Sequence, residues 1–408
     1  MKQKNYLIII FVLLAGTLFS KKMKEGSYRG LLISDKNKVE IPFNFFVTYK
    51  GKKPLITIVN ADEKILVDEI RIKGDSVRFK MPVFDTEFRA RMVGNDLDGI
   101  WINHYKTSDN TMLFKAVFGE DKRFMFNPVK TNPSFEGRWE TVFSPDTKDS
   151  SRAIGLFHHI EQTEFLTGTF LTETGDYRYL EGIKHENTLY LSCFDGAHAY
   201  LFIAELKGDL LTGNFYSGAT WSEPWVAKLN PNAKLRDAEQ ITFLKNKDAT
   251  IDFSFPGLDK KQVSLSDKKY ANKPVVVQLM GSWCPNCMDE SRYFSEVYKQ
   301  FQKEGLEIVA LAFEKTTDFD KAKLLLTRMK TRLNMGYDVL ITQQSGKEKA
   351  GEVLWALNQV SAFPTTLFLN RQHQVVRIHT GFSGPATGKD YEDFKETTET
   401  LIRNLLKE

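Results

Sequence analysis

Hydrophobic and polar positions change their rhythm twice along this chain of 408 residues. It opens on an unbroken apolar run, Tyr6 to Phe19, with Lys2 and Lys4 before it and Lys21-Lys22 after it. From Gly26 to about Asn230 the rhythm is alternation with a period of two, cut by Gly, Asn and Asp, and no helical spacing of convincing length intervenes. Alternation sends successive side chains to opposite faces of a strand, so this region predicts antiparallel β structure. Beyond it, apolar runs alternate with segments spaced at three and four residues, the pattern of an α/β domain.

The alternating region also repeats itself. Asp75 to Phe79, Phe84-Asp85, Arg91 to Gly94 and Leu97 to Trp101 read like Asn187 to Leu191, Phe194-Asp195, Glu205 to Gly208 and Leu211 to Phe215. Each copy opens on a glycine and an aromatic residue, Gly26-Ser27-Tyr28 and Gly137-Arg138-Trp139. Two tandem all-β modules, or one larger sandwich or barrel made from both, satisfy the pattern. The boundaries expected are 1–22 for the N-terminal segment, 23–130 and 131–232 for the modules, 233–248 for a charged linker, and 249–408 for the α/β domain.

Within the last domain, Pro274 to Met280 predicts a buried strand, and Tyr293, Phe294, Val297, Tyr298 and Phe301 predict a helix. Between them stands Trp283-Cys284-Pro285-Asn286-Cys287, so both thiols fall where a strand gives way to a helix. A helix N-terminus offers unpaired N–H groups and the positive end of the macrodipole, which favour a thiolate over a thiol. Cys284 is the candidate nucleophile and Cys287, one turn on, the candidate resolving thiol. Pro285 suits the first helical turn. The competing reading, half of a zinc site, fails on ligand count, because the chain has only three cysteines and His373 and His379 lie on a predicted hairpin. Further strands are expected at Leu306 to Phe313, Val339 to Ile341, Thr365 to Asn370 and Val375 to His379, and helices at Phe319 to Leu333, Glu348 to Leu357 and Tyr391 to Leu406.

With these residues in view, the chain from about Asp252 onward resembles the thioredoxin-fold, TlpA/ResA-like family of exported thiol–disulfide reductases. The segment Trp283 to Cys287 is similar to the family's active site, and Phe363-Pro364-Thr365-Thr366 to its second signature. The resemblance implies a central mixed sheet flanked by helices, and a cis Pro364 facing the cysteines. It implies that the backbone beside Pro364 pairs with an extended client segment, with Trp283, Pro285, Phe363 and Thr365 as the other candidate client-binding residues. Gln278 stands where thioredoxin has a buried aspartate. Glu290 occupies the position to which the exported family assigns proton transfer, and is the third candidate catalytic residue; a solvated glutamate paired with Arg292 is the alternative. No metal and no cofactor follow from the resemblance.

Composition changes this picture little. With 42% hydrophobic and 26% charged residues the chain is ordinary and globular, and a net charge of +4 on scattered lysines argues against a nucleic-acid partner. The N-terminal run has the basic flank and length of a signal peptide, or of an uncleaved anchor, since the pairs Ala15/Thr17 and Leu18/Ser20 make poor cleavage sites. No cysteine follows it closely, which excludes a lipoprotein anchor. Export to the periplasm or cell envelope is therefore expected. Cys193, sharing a strand face with Leu189 and Leu191, reads as a small buried hydrophobe. Trp101, Trp139, Trp221 and Trp225 read as sandwich core rather than a groove, His158-His159 as a poor metal pair, and Phe382 as a turn residue or part of a partner surface.

The function expected is that of an exported reductase of protein disulfides acting through a mixed disulfide. Its partners would be disulfide-containing client proteins, an apocytochrome in cytochrome c maturation among them, and an upstream membrane or periplasmic electron donor. A β-rich envelope binding protein whose thioredoxin-like tail recognises partners is the alternative. A peroxiredoxin-like peroxidase is disfavoured by Gly281-Ser282-Trp283 ahead of the first cysteine.

Overall fold

The computed structural model describes residues 21–126, 133–161, 163–247 and 249–408. The signal peptide or anchor expected at the N-terminus falls, up to residue 20, outside the described residues. Among the described residues no helix is long and apolar enough to cross a membrane.

The alternating region folds into two nine-stranded antiparallel sheets, one per copy of the repeat. In the first, Gly26–Ser34 pairs with both the second strand, Val39–Lys50, and the last, Thr111–Phe118, and the sheet ends on Glu63–Val67 at one side and Glu69–Lys73 at the other. In the second, Gly137–Phe143 likewise pairs with Ser151–His159 and Trp221–Leu229. There Ser151–His159 also pairs with Phe165–Thr172, which closes the sheet into a barrel. The repeat in sequence has a physical basis. Gly94 and Gly208 both turn their hairpins at φ +65°, a conformation that glycine adopts without strain. Gly99 and Gly213 let neighbouring strands approach: a Cβ there would lie 2.1 Å from the Arg89 oxygen and 1.9 Å from the Ile203 oxygen.

The first sheet remains an open barrel and the second a closed one, and both are filled with aromatic side chains, Phe43, Phe88 and Phe114 in the first and Phe170, Phe202 and Phe215 in the second. Trp101, Trp139 and Trp225 belong to these interiors, whereas Trp221 is 58% exposed. Cys193 is fully buried in the second barrel. The barrels are pressed together: the tilted rings of Phe194 and Phe43 lie 4.8 Å apart between centroids, and Asn60 Nδ2 donates to the Phe194 oxygen at 2.9 Å.

The C-terminal domain is a five-stranded mixed sheet. Its strands are β1 (Val275–Met280), β2 (Glu307–Ala312), β3 (Asp338–Ile341), β4 (Thr365–Leu369) and β5 (Val375–Thr380). Strand β1 is central and buried throughout, parallel to β2 on one side and antiparallel to β4 on the other, as a run that is apolar but for Gln278 requires. The helices are α1 (Pro285–Phe301), α2 (Phe319–Arg332), α3 (Lys347–Val353) and α4 (Lys389–Lys407). Helix α3 is shorter than the expected Glu348 to Leu357, because Leu354 leaves helical geometry and Leu357 turns back to bridge Leu244. That bridge also ties down the expected linker: Lys245 N donates to the Ala356 oxygen at 2.9 Å, and Ile241 is buried.

Candidate functional site

Strand β1 delivers the chain to a turn, Gly281-Ser282, held by the buried Glu314, whose carboxylate accepts from Ser282 N at 2.7 Å and from Ser282 Oγ at 2.8 Å. Cys284 then caps α1. Its backbone is extended, at φ −104° and ψ 112°, and its sulfur accepts from Cys287 N at 3.1 Å. Pro285 follows in the first turn, where its missing N–H costs nothing. Cys284 and Cys287 are joined as a disulfide, with Cys284 5% exposed and Cys287 fully buried.

Across from them the Phe363–Pro364 peptide is cis, and the Phe363 oxygen lies 3.4 Å from Cys284 Sγ. Trp283 sets its ring edge-on to Phe363 at 5.9 Å, donates from Nε1 to the Phe313 oxygen at 3.0 Å, and carries Lys315 Nζ 4.1 Å above its face. Thr365 is fully buried behind this loop, its hydroxyl donating to the Ala362 oxygen at 2.8 Å. Phe382 is 1% exposed and packs against Phe394, so it offers no surface to a partner. Of its two expected readings, turn residue or partner surface, the second is corrected: the loop after β5 folds inward onto α4.

Glu290, on the turn of α1 after Cys287, is fully buried. Gln278 Nε2 donates to one of its oxygens at 2.7 Å and Thr366 Oγ1 to the other at 2.8 Å. Burial pushes its pKa up to about 8 despite those two donors. Arg292 turns instead to Asp289, at 2.9 Å, so the alternative of a solvated Glu290–Arg292 pair does not hold.

Residues 247–378 match the sequence model of the AhpC/TSA family. The thiol–disulfide oxidoreductase ResA of Geobacillus thermodenitrificans is 29% identical over 150 residues, covering 37% of this chain and 74% of that protein. ResA of Bacillus subtilis is 29% identical over 140 residues, covering 34% and 70%. This is a ResA-like thiol–disulfide oxidoreductase with an added N-terminal β-rich region. A solved structure from Chlorobium tepidum, a putative thiol:disulfide interchange protein DsbE, is 21% identical and covers 40% of this chain and 99% of its own, at a TM-score of 0.31.

In this ResA-like chain the added region reaches the cysteines. Asn286, between them, donates from Nδ2 to the Asp176 oxygen at 3.2 Å, and Arg178 donates from Nη1 to the Pro285 oxygen at 3.3 Å. Arg178 is 2% exposed and also pairs with Asp289 of α1 and with Glu63 of the first barrel, while its Nε lies 3.7 Å from Asp195. One buried guanidinium thus touches all three parts of the chain. Sequence reasoning missed Asp176 and Arg178 because they sit just after a turn, Glu173-Thr174, where charged residues are commonplace. The expected residues Trp283, Cys284, Pro285, Cys287, Phe363 and Pro364 come together around one sulfur, with Glu290 and Thr365 in the layer behind.

Proposed function

We propose that this oxidoreductase is an exported reductase of protein disulfides using the Cys284-Pro285-Asn286-Cys287 dithiol. The observation that carries the reading is Cys284 Sγ at the N-terminus of α1, 3.4 Å from the carbonyl of a cis Phe363–Pro364 peptide. In the reduced protein the helix N-terminus stabilises the Cys284 thiolate, which attacks a client disulfide. A bond forms between Cys284 Sγ and one client sulfur, the client's own S–S bond breaks, and its second sulfur leaves as a thiolate. Cys287 then attacks Cys284 Sγ, which closes the internal disulfide and releases the first client sulfur. The client gains two electrons and the chain loses two. Glu290, protonated below about pH 8, holds the proton that Cys287 exchanges as it opens and closes.

The basic-flanked apolar run at Tyr6 to Phe19 supports export to the periplasm or cell envelope, cleaved or retained as an anchor. In that compartment the clients are disulfide-bearing proteins, apocytochromes among them, and a membrane or periplasmic donor re-reduces the pair. The domain scheme proposed is 23–130 and 131–232 for the β modules, 233–248 for the connection and 249–408 for the redox domain.

The test is kinetic and electrochemical. Replacing Cys284 with Ser is expected to abolish reduction of a disulfide-bridged peptide, and Cys287→Ser to accumulate a covalent adduct between Cys284 and that peptide. A midpoint potential below about −220 mV fits a reductant, and one near about −120 mV refutes that direction. Unchanged capture of clients by the Cys284→Ser protein would transfer the function to a binding role.

A further inference from the structure

Thiol–disulfide exchange needs the client's sulfur at bonding distance from Cys284 Sγ, so the way in to that atom decides what the enzyme accepts. Cys284 lies in a cleft of about 390 Å³. One wall belongs to the redox domain, Trp283 and the run Ser361-Ala362-Phe363. The facing wall belongs to the second β barrel, with Asp176, Arg178, His198 and Tyr200.

That second wall is fastened. Besides the hydrogen bonds of Asn286 and Arg178 to either side, Gly384 N donates to the Asp176 carboxylate. Gly175 sits so close that a Cβ on it would lie 1.9 Å from Asn286 Nδ2. Of the residues between the two cysteines, Pro285 is therefore buried and Asn286 half-buried within the same chain. Further along the wall, His198 and Tyr200 stack as parallel rings with centroids 4.9 Å apart. Asp195 holds the histidine, accepting from its backbone N at 2.7 Å and lying 3.1 Å from its Nδ1.

We infer that the second β barrel is the specificity wall of the client site, and that the client is an extended, unfolded segment carrying the cysteine. Such a segment lies one strand thick between Ala362-Phe363 and the His198–Tyr200 ring pair. The inference rests on the reductase reading above and adds the substrate class to it. Size carries the argument. A cleft of about 390 Å³ falls low in the range of roughly 300–1,000 Å³ that suits ligands and short chain segments. A folded partner would need about 800 Å² of matching surface on each side, which the barrel wall denies at Cys284. Edge pairing along Ala362-Phe363 supplies main-chain recognition, and the flat rings of His198 and Tyr200 supply contact for the residues that flank the client's cysteine.

The experiment uses the full chain with dithiothreitol as reductant and three probes: a flexible disulfide-bridged peptide, insulin as a folded protein, and hydroxyethyl disulfide. Each rate is divided by its rate with dithiothreitol alone. The expected result is acceleration of the peptide at least about tenfold above that of insulin. The variants His198→Ala and Tyr200→Ala are each expected to raise KM for the peptide about fivefold, with a smaller change in kcat. Insulin accelerated as strongly as the peptide, or an unchanged peptide KM in both variants, overturns the inference, as does acceleration of hydroxyethyl disulfide alone. Acceleration of none of the three overturns the reductase reading itself, and the inference with it.

Discussion

Glu290 shows how much one buried carboxyl couples stability to pH. Its pKa in the folded chain is about 8, whereas an unfolded glutamate titrates near 4.3. Between those values the folded state binds the extra proton, so stability contributed by the neutral form is complete below about pH 4 and is lost as pH rises through 8. The loss amounts to an upper bound of roughly 5 kcal/mol. Chemical denaturation between pH 5 and 9 should show stability falling across that window in the wild type, and a much flatter profile for Glu290→Gln. The sequence left two environments open for this residue, buried beside the thiols or solvated with Arg292. Spacing along a helix does not report which neighbours cover a face, and only packing under Gln278 and Thr366 separates the two. The cysteines were more legible, because their chemistry demands two sulfurs at a fixed interval beside a change from strand to helix.

At the scale of elements, the two β modules were visible as a repeat because the same antiparallel strand pairing imposes the same local demands twice. Gly99 and Gly213 occupy matching places in their copies, and both are squeezed by the adjacent strand. Gly213→Ala, whose new methyl would collide with the Ile203 oxygen at 1.9 Å, is expected to destabilise the second barrel by about 1–3 kcal/mol, read as a lowered Tm. Gly208, at φ +65° with nothing near its missing Cβ, should cost less on the same substitution, about 1 kcal/mol, since only backbone strain opposes it. Helix α3 was misjudged in length for a related reason. Its apolar spacing continues to Leu357, yet that residue is claimed by a contact with Leu244, more than a hundred positions earlier, which no local pattern displays.

The whole molecule is held by groups that sequence keeps far apart. Arg178 meets Glu63 and Asp289 across separations of 115 and 111 residues, and joins both barrels to the redox domain. Removing one member of a buried ionic cluster strands the others, at a cost of about 3–5 kcal/mol. Arg178→Met is therefore expected to lower stability by that amount and to split unfolding into separate calorimetric transitions for the barrels and the redox domain. The sign of its pH dependence follows from the carboxylates left behind. Burial already raises the pKa of Glu63, and loss of the guanidinium raises it further, so the variant should be less damaged at pH 5 than at pH 8.

Cys193 carries a consequence of its own. Its thiol is enclosed on every side by the second barrel, and burial pushes its pKa well above the ordinary value. A protein that spends its working cycle forming and breaking bonds between sulfurs thus keeps its spare one beyond reach. Prolonged air oxidation should leave the native chain a single monomeric band on a non-reducing gel, with Cys193 alkylated only after denaturation.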